Sequence, residues 1–180
     1  MLLAGNRFSA LSFLPAPYLW RCSDNVQADQ KSNMHEILSD IDIAATPERV
    51  WSILTDLVAY PDWNPFIRSI NGHIETGKKL TVSIQPVGGR AMTFRPTVLR
   101  AEPNSELRWL GHFLFPGIFD GEHYFTILAS TPGKVRFVQG EKFGGLLVGL
   151  AKTSLDRGTQ AGFVAMNQAL KARAENGPGP

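Results

Sequence analysis

From Gly145 to Ala174 the chain carries no proline. Val148, Ala151, Leu155, Gly162, Met166 and Leu170 recur there at three- to four-residue steps, with Thr159 filling the one longer gap. That period puts them on one face of a helix, so the spacing predicts a long C-terminal helix whose apolar side needs a cover. Upstream the period changes to two. Ile37, Ser39, Ile41 and Ile43 alternate with polar residues, as in a half-buried strand, and alternating segments return at 67–74, 79–86, 91–101, 106–113, 120–129 and 134–143. Between the first strand and the rest, Thr46-Pro47-Glu48-Arg49 reads as an N-cap followed by proline at the first helical position. Val50, Trp51, Leu54, Leu57 and Val58 continue at helical spacing, with a break expected near Thr55-Asp56, and Pro61 and Pro65 end helical structure. One strand, two short helices, six strands and a long helix are segregated along the chain and do not alternate. Such an order implies an α+β domain with an antiparallel sheet of about seven strands.

The 180 residues are 43% hydrophobic and 19% charged, which suits one globular domain and not a disordered chain. A formal net charge of +2, with basic residues scattered over every element, argues against nucleic-acid binding. Cys22 is the only cysteine, so an intrachain disulfide and a Cys-ligated zinc site are excluded. The best apolar run, Gly144–Ala151, is far too short for a transmembrane segment. His35, His73, His112 and His123 have no metal-ligand spacing, and no glycine-rich phosphate cradle or nucleophile elbow occurs, so neither a metal nor another cofactor is expected. Residues 1–33 lack either period and carry Pro15 and Pro17 within their apolar stretch. They read as a disordered extension or a weak organelle presequence, with Met34 as an alternative start. Location is accordingly expected to be cytoplasmic, or mitochondrial or another organelle if that extension directs it. The domain is assigned to 34–175 and a frayed Gly/Pro tail to 176–180. Oligomeric state is left open.

The run Ala45-Thr46-Pro47-Glu48-Arg49-Val50-Trp51, then Asp56 and Tyr60-Pro61-Asp62-Trp63-Asn64-Pro65-Phe66, resembles the opening of the polyketide cyclase/dehydrase group of the START-like, or SRPBCC, superfamily. Gly121-Glu122-His123-Tyr124-Phe125 and Gln139-Gly140-Glu141-Lys142-Phe143-Gly144-Gly145-Leu146-Leu147 resemble its later strands and final helix start. The resemblance implies a helix-grip fold, in which a curved antiparallel sheet wraps the long C-terminal helix around an apolar cavity. Members of that superfamily include ligand carriers, lipid-transfer domains and aromatic polyketide cyclases, so fold alone does not name a reaction.

Strand parity in this sequence predicts a wall for the cavity. His123, Phe125 and Ile127 share one face, as do Val135, Phe137, Gln139, Glu141 and Phe143. A three-residue loop at Thr131-Pro132-Gly133 would set Ser130 opposite Lys134, Ile127 opposite Phe137, Phe125 opposite Gln139 and His123 opposite Glu141. A two-residue turn at Pro103-Asn104 would set Trp109, Gly111 and Phe113 opposite Val98, Pro96 and Phe94, with Pro96 where no ladder N–H is needed. The ligand-binding set expected from this pattern is Trp63, Phe66, Phe94, Val98, Trp109, Phe113, His123, Phe125, Phe137, Gln139, Glu141 and Met166. His123 and Glu141 are the candidate catalytic pair. They have three readings: mutual structural satisfaction, orientation of a ligand, or acid–base catalysis. Trp63-Asn64-Pro65-Phe66 is either a helix-to-strand corner or a gate at the cavity mouth, and Trp51 belongs to the core. The expected function is binding of a hydrophobic or amphipathic small molecule, lipid- or polyketide-like. The alternatives are a cofactor-independent cyclase or dehydratase and a protein-interaction module on the same fold.

Overall fold

The computed structural model describes residues 34–112 and 115–177, the side chains of 150–156 excepted. The expectations for 1–33, Phe113 and residues 178–180 lie outside the described residues, as do the side chains of Ala151 and Leu155. Strand β1 (His35–Ile43) leads into helix α1 (Pro47–Thr55), a short 3-10 helix (Leu57–Ala59) and α2 (Tyr60–Trp63). Then follow β2 (Ile67–Gly72), β3 (Leu80–Ile84), β4 (Met92–Phe94), β5 (Thr97–Glu102), β6 (Glu106–His112), β7 (Asp120–Thr131), β8 (Lys134–Gly144) and α3 (Val148–Asn176).

Local chemistry accounts for the helical boundaries. The Thr46 side chain accepts the Arg49 N–H, Pro47 opens α1, and the Asp56 N–H closes it on the Ser52 carbonyl. The expected pair of short helices is thus two α segments joined by the 3-10 turn. At the corner after α2, the buried Asn64 accepts from the N–H groups of Phe66 and Ile67 at 2.9 and 2.8 Å, and its own carbonyl takes the Arg68 guanidinium at 2.8 Å. Two N–H groups that Pro65 and the turn leave without helical partners are satisfied by one side chain. Tyr60, also buried, donates its hydroxyl to the Leu54 carbonyl, and burial pushes its phenol up in pKa.

Five strands pair antiparallel in the order β1-β8-β7-β6-β5, and β2-β3-β4 form a smaller sheet. The segment 91–101 is two strands, not one. At Pro96, which has no N–H to give, the chain passes from one sheet to the other, and the seam is closed by Leu80 N–H to Pro96 O and Val98 N–H to Lys78 O. The two sheets so joined and α3 make a helix-grip fold. Helix α3 packs on β1 and β8, with Phe163, Met166 and Leu170 fully buried, each contributing about 1.5–3 kcal/mol of apolar transfer. Among the described residues no helix is long and apolar enough to cross a membrane.

Register inside the large sheet follows the parity expectation while the turns do not. His123 faces Glu141, Phe125 faces Gln139 and Ile127 faces Phe137. The β7–β8 turn, however, is the two-residue Pro132-Gly133 closed by Thr131 against Lys134, and an irregularity at Ser130 restores the register. Likewise Val98 faces Trp109, yet Glu102 pairs with Glu106 across a three-residue turn, and the bulge at Leu99 absorbs the difference. In both hairpins the buried face holds its pairing, and the extra residue is displaced to an exposed position.

Candidate functional site

Between the two sheets and the N-terminal half of α3 lies a cavity of about 310 Å³. That volume is at the lower end of the range for small-molecule sites. The small sheet and its loops contribute Val82, Ile84, Pro86, Met92 and Phe94, while Pro96, Trp109, Gly111 and His112 come from the next strands. Gly121, His123, Glu141 and Phe143 line it from β7 and β8, with Phe119 before them; Phe66, Leu147 and Thr159 close the helix side. The facing pair Gly111 and Gly121 leaves backbone where side chains would otherwise fill the space. At the start of α3, Gly145 has φ +111°, and a Cβ there would stand 2.6 Å from the Ile118 carbonyl oxygen. Only glycine lets this loop seat against 117–118, where the N–H groups of Leu146 and Leu147 bond the carbonyls of Gly117 and Ile118.

The inner end of the cavity carries a polar chain. His123 is 2% exposed, with its ring stacked on Trp109 at 5.1 Å and edge-on to Phe125 and Phe163 at 4.7 and 5.2 Å. Its Nδ1 lies 3.4 Å from Glu141 Oε2, and its Nε2 lies 3.3 Å from Gln139 Nε2. A carboxylate only accepts, so Nδ1 turns a proton toward Glu141, and with the Gln139 amide nitrogen facing it Nε2 is placed to accept. Gln139 is fully buried, and its second N–H points to Met166 Sδ at 3.4 Å. Turning that amide over would leave two buried N–H groups unpaired in place of one carbonyl oxygen, the costlier arrangement. At the rim, His112 Nδ1 meets Asp120 Oδ1 at 2.6 Å, and Asp120 also accepts the Gly117 N–H.

The expected site residues separate into two groups. Phe66, Phe94, Trp109, His123 and Glu141 line the cavity. Val98, Phe125, Phe137, Gln139 and Met166 are buried in the core and are not among the lining residues. Trp63 packs on Tyr60 at 5.2 Å and also lies off the cavity, so of the corner segment only Phe66 reaches it. Sequence reasoning put Phe143 on the cavity face without naming it a binding residue, and missed His112, Thr159 and, Phe94 apart, the β3–β4 side. Same-face parity of Val82, Ile84 and Pro86 was the available signal for the last. Among the described residues no cluster of His, Cys, Asp or Glu could hold a metal.

Cavity, wrapped helix and inward polar group together make a helix-grip fold with an apolar chamber between sheet and helix. Residues 34–175 match the family described as polyketide cyclase/dehydrase and lipid transport, and the chain belongs to it. No curated protein shows a significant match to the sequence. Among solved structures, the aromatase/cyclase Zhui from Streptomyces sp. R1128 is similar at TM-score 0.65 and 17% identity, covering 78% of this chain and 93% of that one. A START superfamily protein from Mycobacterium smegmatis is similar at TM-score 0.58 and 22% identity, over 78% and 97% of the two chains. The di-domain ARO/CYC BexL of the BE-7585A biosynthetic pathway gives TM-score 0.67 at 13% identity over 84% of this chain, which spans about half (54%) of that protein. At these identities the likeness is one of fold.

Proposed function

We propose that this protein binds a hydrophobic or amphipathic small molecule, lipid- or polyketide-like, inside the cavity between its sheets and α3. The observation that carries this reading is an apolar chamber of about 310 Å³ with a single carboxylate, Glu141, among its described lining residues. An interaction module would have no use for such an interior, which side chains could fill. Val87 and Leu146, chain neighbours of the lining residues Pro86 and Leu147, are 62% and 80% exposed and suit the passage of an apolar ligand. Family membership supports ligand binding or a cyclase-type role equally.

A second reading, cofactor-independent cyclisation or dehydration, is favoured by the hydrogen-bonded series Glu141–His123–Gln139. Glu141 would act as general base on a bound polyketide-like chain, with His123 orienting it. Native mass spectrometry of purified protein and extraction of any co-purifying molecule supplies the ligand for a decisive comparison. For a carrier, Glu141→Gln changes affinity by about 1–2 kcal/mol and the ligand is recovered unchanged. For an enzyme, binding survives and turnover falls about 100-fold or more. The carrier outcome is the one expected; conversion by the wild type that Glu141→Gln abolishes would reverse the ranking.

A further inference from the structure

Among the described residues Glu141 uses only one of its oxygens. Oε2 accepts from His123, whereas Oε1 sits 2.6 Å from the point where a Cβ on Gly121 would stand. The missing side chain of Gly121 is what gives this oxygen its place in the chamber wall. Among the described lining residues there is no lysine or arginine, and His112 is already engaged by Asp120.

We propose that the cavity selects ligands bearing a neutral or cationic hydrogen-bond donor, such as a hydroxyl, phenol or amine, docked on Glu141 Oε1, and rejects the same skeleton ending in a carboxylate. This rests on the cavity-binding reading above and narrows it, since free fatty acids and other apolar acids fall outside the class. The physical reason is an acceptor with no partner among the described residues, set in an apolar wall and only 16% exposed as a side chain. A donor there gains a charge-assisted bond, an apolar end leaves the carboxylate desolvated and unpaired, and a second carboxylate adds like-charge repulsion. Gln139 is a positioning residue in this arrangement: it sets the His123 tautomer, which holds Oε2 and so leaves Oε1 to the ligand.

Isothermal titration of the full chain at pH 7 with 2-naphthol, 2-methylnaphthalene and 2-naphthoate tests the assignment on one apolar skeleton. The expected order is naphthol tighter than methylnaphthalene by about ten-fold or more, with naphthoate the weakest. Glu141→Gln should shrink the naphthol advantage and bring naphthoate to within about three-fold of methylnaphthalene. Should that variant fail to fold, Gly121→Ala keeps the charge but displaces Oε1, and should reduce the naphthol preference several-fold. In ¹⁵N spectra, wild-type His123 should show a protonated Nδ1 and an unprotonated Nε2, and Gln139→Met should disturb that signature. Equal binding of the three probes, or naphthoate binding best, overturns the donor inference and leaves the cavity reading standing. Failure of all three to bind up to their solubility limits overturns both.

Discussion

Gly162 lies on the buried face of α3 against the ring of Phe66, and Gly162→Ala tests how tightly helix and cavity wall are fitted. At an open helical position this change stabilises by about 1 kcal/mol, through propensity alone. Here a Cβ would stand 2.1 Å from Phe66 Cδ2 and 2.6 Å from Cε2. Ordinary carbon contact begins near 3.5 Å, so the ring would have to retreat by about 1.5 Å. It has little room. Its backbone N–H is held by Asn64, and its ring already meets Phe163 edge-on at 5.5 Å. Overpacking of this kind costs about 1–3 kcal/mol and outweighs the propensity gain, for a net loss of about 1 kcal/mol. In thermal unfolding followed by circular dichroism, that is a drop in Tm of about 3–5 °C. Because Phe66 also lines the cavity, affinity for an extracted ligand should fall with it. Gly149→Ala, where nothing stands within 4 Å of the new atom, is the control and should not lower Tm. A rise in Tm for Gly162→Ala comparable to an open helical site would refute the packing argument.

Leu170, fully buried under the sheet, should not tolerate a charge: Leu170→Asp is expected to lose about 3 kcal/mol or more in urea unfolding, and wild-type behaviour would mean the helix face is wrong. Asn64→Ala removes the acceptor for two buried N–H groups and should cost about 2–3 kcal/mol, while Asn64→Asp, which keeps an acceptor, should cost distinctly less in the same assay. Lys171 and the Ala44 N–H hold the Glu175 carboxyl below the usual carboxylate range. Its contribution is therefore present above that range and is lost as pH falls through the lowered value, so Glu175→Gln should flatten the acid limb of a Tm-against-pH curve.

Periodicity by itself determined the order of element types: period two at 35–43 and from 67 to 144, helical spacing between them, and a proline-free apolar face from 148 to 174; the split of 91–101 at Pro96 escaped it. It also determined which β7 and β8 residues meet, because a one-residue slip would carry Phe125, Ile127 and Phe137 out to solvent. That constraint is strong enough that both hairpins reach the expected pairing through turns of a different length, with bulges at Leu99 and near Ser130 taking up the difference. Sharing a face was not the same as sharing the cavity. Gln139 lies on the same side of β8 as Glu141, yet α3 lays Met166 over it and seals it into the core, while Glu141, two residues nearer the helix start, stays at the chamber wall. Val82, Ile84, Met92 and Phe94 enter from a second sheet, whose approach depends on the crossing at Pro96. The place of Glu141 Oε1 depends on Gly121, a neighbour diagonal across two strands. Alternation along a strand states which side a residue faces, but what covers that side is decided by packing between elements far apart in the chain, and only the tertiary structure holds that information.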